Sequence, residues 1–302
     1  MNKIQKISVI GSQMDLGAVR KGVDMGPLAI RHAGLISRMK DMRFDVRDQG
    51  DVIPDVAEDE GNPRMRYEKE INGANERLYF KTLEAYEDNR FPVILGGDHS
   101  IAAGSVSASL THLGKTGIIW VDAHADFNDD KITPSGNIHG MPLSSLCGLG
   151  PDSLVRFSTA RASTKNVVIV GARSIDPDEK DKLREAGVTV FSISDVHVMG
   201  IRAVMQKAVD IASEGTKSVH LSFDMDALDP VHAPGVGTPV LNGLTQREAF
   251  IICEMIHDSG YLRAIDIVET NPLLDDRNMT GTLASELVMA CLGSTDYVLL
   301  GD

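Results

Sequence analysis

TGIIWVDAHAD, Thr116–Asp126, joins an apolar run to three ionisable residues at alternate positions, Asp122, His124 and Asp126. A short, nearly unbroken apolar run marks a strand buried on both faces, as in a parallel sheet. In extended chain alternate side chains share a face, so two carboxylates and an imidazole are expected to converge where the strand ends. Three such groups at a buried strand end repel one another, or desolvate at high cost, unless a cation joins them. The chain continues as FNDDKITPSGNIHG, Phe127–Gly140, with small polar side chains at Asn128, Ser135 and Asn137 and a histidine at His139. The first half of the stretch predicts a metal site and the second a loop that recognises substrate.

The same grammar recurs on either side. Strands are expected at Ile7–Ile10, Phe44–Val46, Pro92–Leu95, Asn166–Val170, Val188–Phe191, Ser218–Phe223 and Leu262–Val268. Helical spacing predicts helices over Leu28–Met42, Met65–Asn89, Ile101–Leu113, Gly140–Leu146, Asp176–Ala186, Val196–Ala212, Leu244–His257 (with Thr245 as N-cap) and Met279–Leu292. Asp51–Arg64 and Asp229–Gly243 read as loops, and Pro151–Lys165 supports no assignment. Alternating strands and helices predict an α/β fold, one parallel sheet with helices on both faces, in a single domain over residues 1–302. Asp98-His99, Asp122/His124/Asp126, Asp176, Asp224/Asp226 and Glu269 all follow apolar strands. Ligand sites of open α/β sheets lie at those carboxyl ends.

Composition narrows the partners. Thirty basic against 43 acidic side chains give a net charge of −13, which argues against nucleic acid, whose phosphates need a basic face. Cys147, Cys253 and Cys291 are widely spaced among apolar residues and read as buried free thiols. Neither a signal peptide nor an apolar run of ~18 residues is present, so no membrane partner is expected and the cytoplasm is the expected compartment.

Three clusters carry the chemistry. GGDHS, Gly96–Ser100, taken alone reads as a tight turn with a helix cap, His99 projecting from the sheet edge. SFDMDALDP, Ser222–Pro230, repeats the alternating carboxylates at Asp224 and Asp226, with Asp229 suited to a turn. Two histidines and four aspartates are too many donors for one tetrahedral zinc, and no cysteine joins them. Two divalent ions sharing carboxylates fit better, and carboxylate with imidazole suits Mn²⁺. Such a pair, roughly 3.5–4 Å apart, can hold a bridging hydroxide as nucleophile.

GGDHS, DAHADFN, SGNIHG and SFDMDALDP, in this order, resemble the signatures of the arginase/agmatinase (ureohydrolase) family. The similarity runs from Gly22–Pro27 to Glu269–Pro272. The resemblance implies an arginase-like three-layer fold and two Mn²⁺ ions. His99, Asp122, Asp126 and Asp224 would hold one ion, and His124, Asp122, Asp224 and Asp226 the other. It further implies hydrolysis of a guanidinium to urea and an amine, with Asp126 passing a proton to the leaving amine. Glu269 would pair with the guanidinium, His139 would shuttle protons, and Thr238 would lie near the site. A homotrimer or homohexamer is implied as well.

Substrate choice falls to the recognition loop. L-Arginine offers an α-carboxylate, for which Asn128, Ser135 and Asn137 can supply donors, and an α-ammonium, for which Asp176 or Glu179 can accept. Asn128, the Ser135–Gly140 segment and Asp176–Glu179 resemble the arginase branch. Agmatine, guanidino acids and formiminoglutamate are the alternative substrates. Thr270, Phe127 and the pair Asp129-Asp130 depart from the expected pattern without disturbing the ligand set. A single-metal deacetylase on a related fold would leave His99, Asp126 and Asp226 unused, a non-catalytic relative would have lost ligands, and no GxGxxG supports dinucleotide binding. Of the remaining histidines, His220 reads as core, His32, His112, His197 and His257 as helical or surface residues, and His232 as a loop residue that could approach the site.

Overall fold

The computed structural model describes residues 5–294. Its strands are β1 (Lys6–Ser12), β2 (Asp45–Val52), β3 (Gly61–Asn62), β4 (Met65–Arg66), β5 (Phe91–Leu95), β6 (Gly117–Val121), β7 (Val167–Ala172), β8 (Thr189–Ser192), β9 (Val219–Asp224) and β10 (Leu262–Val268). Its α-helices are α1 (Gly26–His32), α2 (Leu35–Asp41), α3 (Glu68–Glu87), α4 (Ala102–Leu113), α5 (Pro142–Leu146), α6 (Pro177–Ala186), α7 (Ile193–Met199), α8 (Ile201–Ala212), α9 (Gln246–Ser259) and α10 (Met279–Cys291). Eight strands form one sheet in the order β2-β1-β5-β10-β9-β6-β7-β8, paired in parallel throughout. The short β3–β4 hairpin stands apart.

The strand that opened the sequence reading shows why both faces are covered. Ile119 and Val121 of β6 join the core beneath α1, α2 and α7–α10. Ile118 and Trp120 alternate to the opposite core with α4, α5 and Leu183 of α6. Beside it, α3 packs over Ile10 and Ile94. Among the described residues no helix is long and apolar enough to cross a membrane.

Glycine explains two departures from the expected helices. Gly34, at φ 87°, separates α1 from α2, and Gly200, at φ 80°, separates α7 from α8, so Leu28–Met42 and Val196–Ala212 are each two helices rather than one. The expected strand Phe44–Val46 is the much longer β2. Its composition, DVRDQGDV, hides it, because an edge strand needs no apolar alternation and charges there discourage edge-to-edge pairing. The loop expected over Asp51–Arg64 contains β3, and α3 starts at Glu68, after β4. Thr245 caps α9 as expected, in a capping box with Glu248. Cys253 and Cys291 are buried, whereas Cys147 is half-buried.

Candidate metal centre and substrate cavity

The four central strands β5, β10, β9 and β6 end side by side and deliver His99, Glu269, Asp224 and Asp122 to one place. His99 does not project from an edge; it is 1% exposed, in a turn capped by Asp98. The turn needs its glycines: a Cβ on Gly97 would lie 1.8 Å from the Met14 carbonyl oxygen. Asp98 also accepts the Gly17 amide at 2.8 Å, and the Gly17 carbonyl accepts from the His139 amide at 3.3 Å. A residue read from sequence as a cap therefore helps to place His139 as well.

His99 Nδ1 lies 3.2 Å from Asp122 Oδ2, 3.1 Å from Asp126 Oδ2 and 3.1 Å from Asp224 Oδ2. His124 Nδ1 lies 3.3 Å from Asp122 Oδ1 and 3.2 Å from Asp226 Oδ2. Two donor groups result, His99/Asp122/Asp126 and Asp122/His124/Asp226, each compact enough to hold a metal ion, and Asp122 gives one oxygen to each. Asp224 Oδ1 accepts the Asp226 amide at 2.7 Å, and its Oδ2 faces His99.

The convergence is not achieved by simple alternation in extended chain. β6 ends at Val121, and Asp126 has φ 49°, in the left-handed region that non-glycine residues rarely occupy. The turn sends His124 toward Asp226 and Asp126 toward His99. Glu269, at φ 62°, is held in the same unfavourable region. Such strain persists where surrounding contacts over-determine it, and it gathers at functional sites.

The donor set fits metal ions on its own chemistry. His99 Nε2 sits 2.9 Å from Ser222 Oγ, and an Nε2–H donated there leaves the Nδ1 lone pair facing three carboxylates. Burial opposes charge on His99, but Asp122, Asp126 and Asp224 outweigh it and hold the pKa well above the usual histidine range. His124 is raised in the same way by Asp226 and Asp122. Burial and the Asp226 and Asp122 charges push Asp224 well above the carboxylate range, and burial with Asp122 raises Asp126 to about 6. Buried carboxylates that repel one another this strongly are suited to divalent cations.

One cavity of about 230 Å³ opens over these groups. Its lining includes His124, Asp126, Asp224 and Asp226, together with His139 and all the proposed recognition residues, Asn128, Ser135, Asn137, Asp176, Glu179 and Thr238. Asn128 donates Nδ2–H to Asp176 Oδ2 at 3.3 Å, which leaves its second N–H free, and its Oδ1 is buried without a hydrogen-bond partner. Asp176 caps α6 in a box with Glu179, whose oxygens accept the Phe127 amide at 2.7 Å and the Asp176 amide at 3.3 Å. Glu179 is thus occupied by backbone, while burial raises it to about 7. Thr238 donates to Asp226 Oδ2 at 2.8 Å, so it orients a metal-site carboxylate.

His139 Nδ1 meets Glu269 Oε1 at 3.1 Å, and the same oxygen accepts the His99 amide at 3.0 Å. Burial disfavours charge on His139, but the hydrogen bond and charge of Glu269 raise its pKa to about 9. Glu269 Oε2 is buried without a hydrogen-bond partner.

Trp120 and Arg173, whose contacts sequence reasoning passed over, support this arrangement. Trp120 donates Nε1–H to Asp122 Oδ2 at 2.9 Å and stacks on His99 at 3.9 Å between ring centroids. Arg173 donates to the carbonyls of Asp226, Leu228 and Val240 and so ties the loop carrying Thr238 to β7. Asp129 is paired with Lys182 at 2.6 Å, which neutralises it, and the Asp130 carbonyl accepts from Arg64. His232 closes a turn on Asp229 and is not among the cavity's lining residues. The only sequence signal for Arg173 was a lone cation directly after an apolar strand.

Comparison with known proteins places this geometry. The model of the Arginase family matches residues 5–293. Arginase of Bacillus subtilis (strain 168) is 43% identical over 289 residues, covering 95% of this chain and 97% of that protein. The native structure of Bacillus caldovelox arginase superposes with a TM-score of 0.93 at 40% identity, covering 96% of this chain and 99% of that one. Entamoeba histolytica arginase in complex with L-ornithine gives a TM-score of 0.90 at 28% identity, with 97% and 99% covered. The chain belongs to the arginase family, and the protein is a hydrolase of that family.

Proposed function

We propose that the protein hydrolyses L-arginine to L-ornithine and urea. The observation that carries this reading is the lining of one cavity, where metal-site carboxylates and His139 face amide donors and the Asp176 carboxylate. His99, Asp122, Asp126 and Asp224 would hold one Mn²⁺, and His124, Asp122, Asp224 and Asp226 the other. Bound there, the ions supply a water acidic enough to serve as hydroxide near neutral pH.

The side chains account for the remaining steps. Glu269 is not among the cavity's lining residues, but its Oε2 is buried without a partner next to His139, which does line it, and would accept from the guanidinium, for which a carboxylate is the matching partner. Asp126, which lines the cavity, would take the proton that the water gives up as it is added to the guanidinium carbon. As the C–N bond breaks, Asp126 returns that proton to the leaving nitrogen, releasing urea and L-ornithine. His139, held by Glu269, would give the free amine its last proton and take one back from the hydroxyl that becomes the urea carbonyl. At the far end of the substrate, Asn137, Ser135 and the second N–H of Asn128 would receive the α-carboxylate. Asp176 would accept from the α-ammonium, with Glu179 behind it. A homotrimer or homohexamer in the cytoplasm is the assembly and location that go with this reading.

Asn128→Ala and Asn137→Ala test the assignment. Each is expected to raise KM for L-arginine about tenfold to a hundredfold, the worth of one hydrogen bond to a charged group. For agmatine, which lacks the carboxylate, kcat/KM should change by no more than about threefold. Equal losses on both substrates would sink the carboxylate assignment.

A further inference from the structure

We propose that Arg66 determines specificity as a positioning residue: it fixes the Asn137 amide so that its N–H donors face the α-carboxylate of the substrate. The inference rests on the reading of Asn137 given above. Arg66 Nη2 lies 2.6 Å from Asn137 Oδ1 and 2.5 Å from the Ser135 carbonyl oxygen. A guanidinium has donors and no acceptor, so the asparagine must turn its oxygen toward it. The NH₂ is then directed the other way, and Asn137 lines the cavity. Released from Arg66, the amide could rotate and present its oxygen to an incoming carboxylate, exchanging an attraction for a repulsion.

The surrounding contacts show a built support rather than a chance approach. Arg66 donates its backbone N–H to the Gly136 carbonyl at 3.0 Å. A Cβ on Gly136 would lie 1.9 Å from the Pro63 carbonyl oxygen, so the β3–β4 hairpin is seated directly on the recognition loop. Arg64, from the same hairpin, donates to the carbonyls of Asp130 and Lys131. Among the described residues the charged group nearest the Arg66 guanidinium is Glu60, at 3.9 Å and 60% exposed, too loose and wet to hold it. The charge also matters. Asp176 and Glu179 line the same cavity, and the nearby Lys182 is committed to Asp129. A carboxylate entering such a cavity depends on donors that cannot turn away.

The test compares ligand pairs that differ only in the carboxylate, on the manganese-loaded enzyme. Arg66→Met is expected to raise KM for L-arginine by about tenfold or more with kcat within about twofold, since only uniform binding is lost. The inhibition constant of L-ornithine should rise in parallel, while that of putrescine, its decarboxylated counterpart, stays within about twofold. Arg66→Lys keeps the charge but loses the fork, and should fall between the parent and Arg66→Met; it carries the same comparison if Arg66→Met does not fold. An equal shift for L-ornithine and putrescine, or no shift for either, overturns the proposal. Asn137→Ala separates the two levels. If it weakens L-ornithine selectively and the Arg66 variants do not, the role of Arg66 is wrong; if it has no selective effect, the reading of Asn137 itself fails.

Discussion

Asp224→Asn is expected to lower kcat for urea release by about a thousandfold or more while leaving the fold intact, each tenfold being about 1.4 kcal/mol of lost transition-state stabilisation. The substitution is nearly isosteric, and an amide oxygen can still accept from the Asp226 amide as Oδ1 now does. Its NH₂ would then occupy the place of Oδ2, 3.1 Å from His99 Nδ1, and present a donor where a cation requires a lone pair. Metal content measured on the purified variant should fall below two ions per chain. Stability without metal should move the other way. Burial and like charges raise the Asp224 pKa well above its unfolded value, so its ionised form works against the folded state as pH rises. The neutral amide removes that penalty, and the chelator-treated variant should melt at or above the temperature of the chelator-treated parent at neutral pH. Undiminished turnover with two ions bound would show that Asp224 is not a ligand.

Glu269→Gln should cost about a hundredfold to a thousandfold in kcat/KM, the scale of breaking a buried ion pair at one partner. Two contacts change together. A glutamine can keep one oxygen on the His99 amide and His139, but its other end then offers N–H donors in place of the unpartnered Oε2, where the guanidinium needs an acceptor. His139 also loses the largest of the contributions that raise its pKa to about 9, leaving only the Asp126 and Asp98 charges against burial, so its pKa falls. The alkaline limb of the kcat/KM profile should accordingly move to lower pH. An unchanged pH profile would separate His139 from the proton transfer, and an unchanged kcat/KM would remove Glu269 from the site.

What the sequence could and could not reveal follows from the range of the interactions involved. β6 was legible because a strand buried on both faces must be apolar along its length, whereas β2, at the edge, carries charge and was seen only in part. Asp122, His124, Asp224 and Asp226 were legible because ionisable groups directly after buried strands have few other uses. The route by which they meet was not: Asp126 depends on a left-handed backbone turn that no local pattern announces. Supporting contacts were the least visible. Trp120 read as an apolar strand residue, although its indole N–H binds Asp122. Arg66 is 71 positions from Asn137, and Arg173 is 53 from the Asp226 carbonyl it binds; only the fold brings each pair together. Glu179 carried a double meaning, since a capping-box residue and an ammonium acceptor look alike in sequence.

The most direct measurement of the central claim is urea release from L-arginine, agmatine and 4-guanidinobutyrate, side by side, on manganese-loaded protein. If Asn128, Ser135, Asn137 and Asp176 receive the α-carboxylate and α-ammonium as proposed, L-arginine should be favoured in kcat/KM by about a hundredfold or more over either analogue. Equal or greater activity on agmatine or 4-guanidinobutyrate, or no urea from L-arginine, would contradict it.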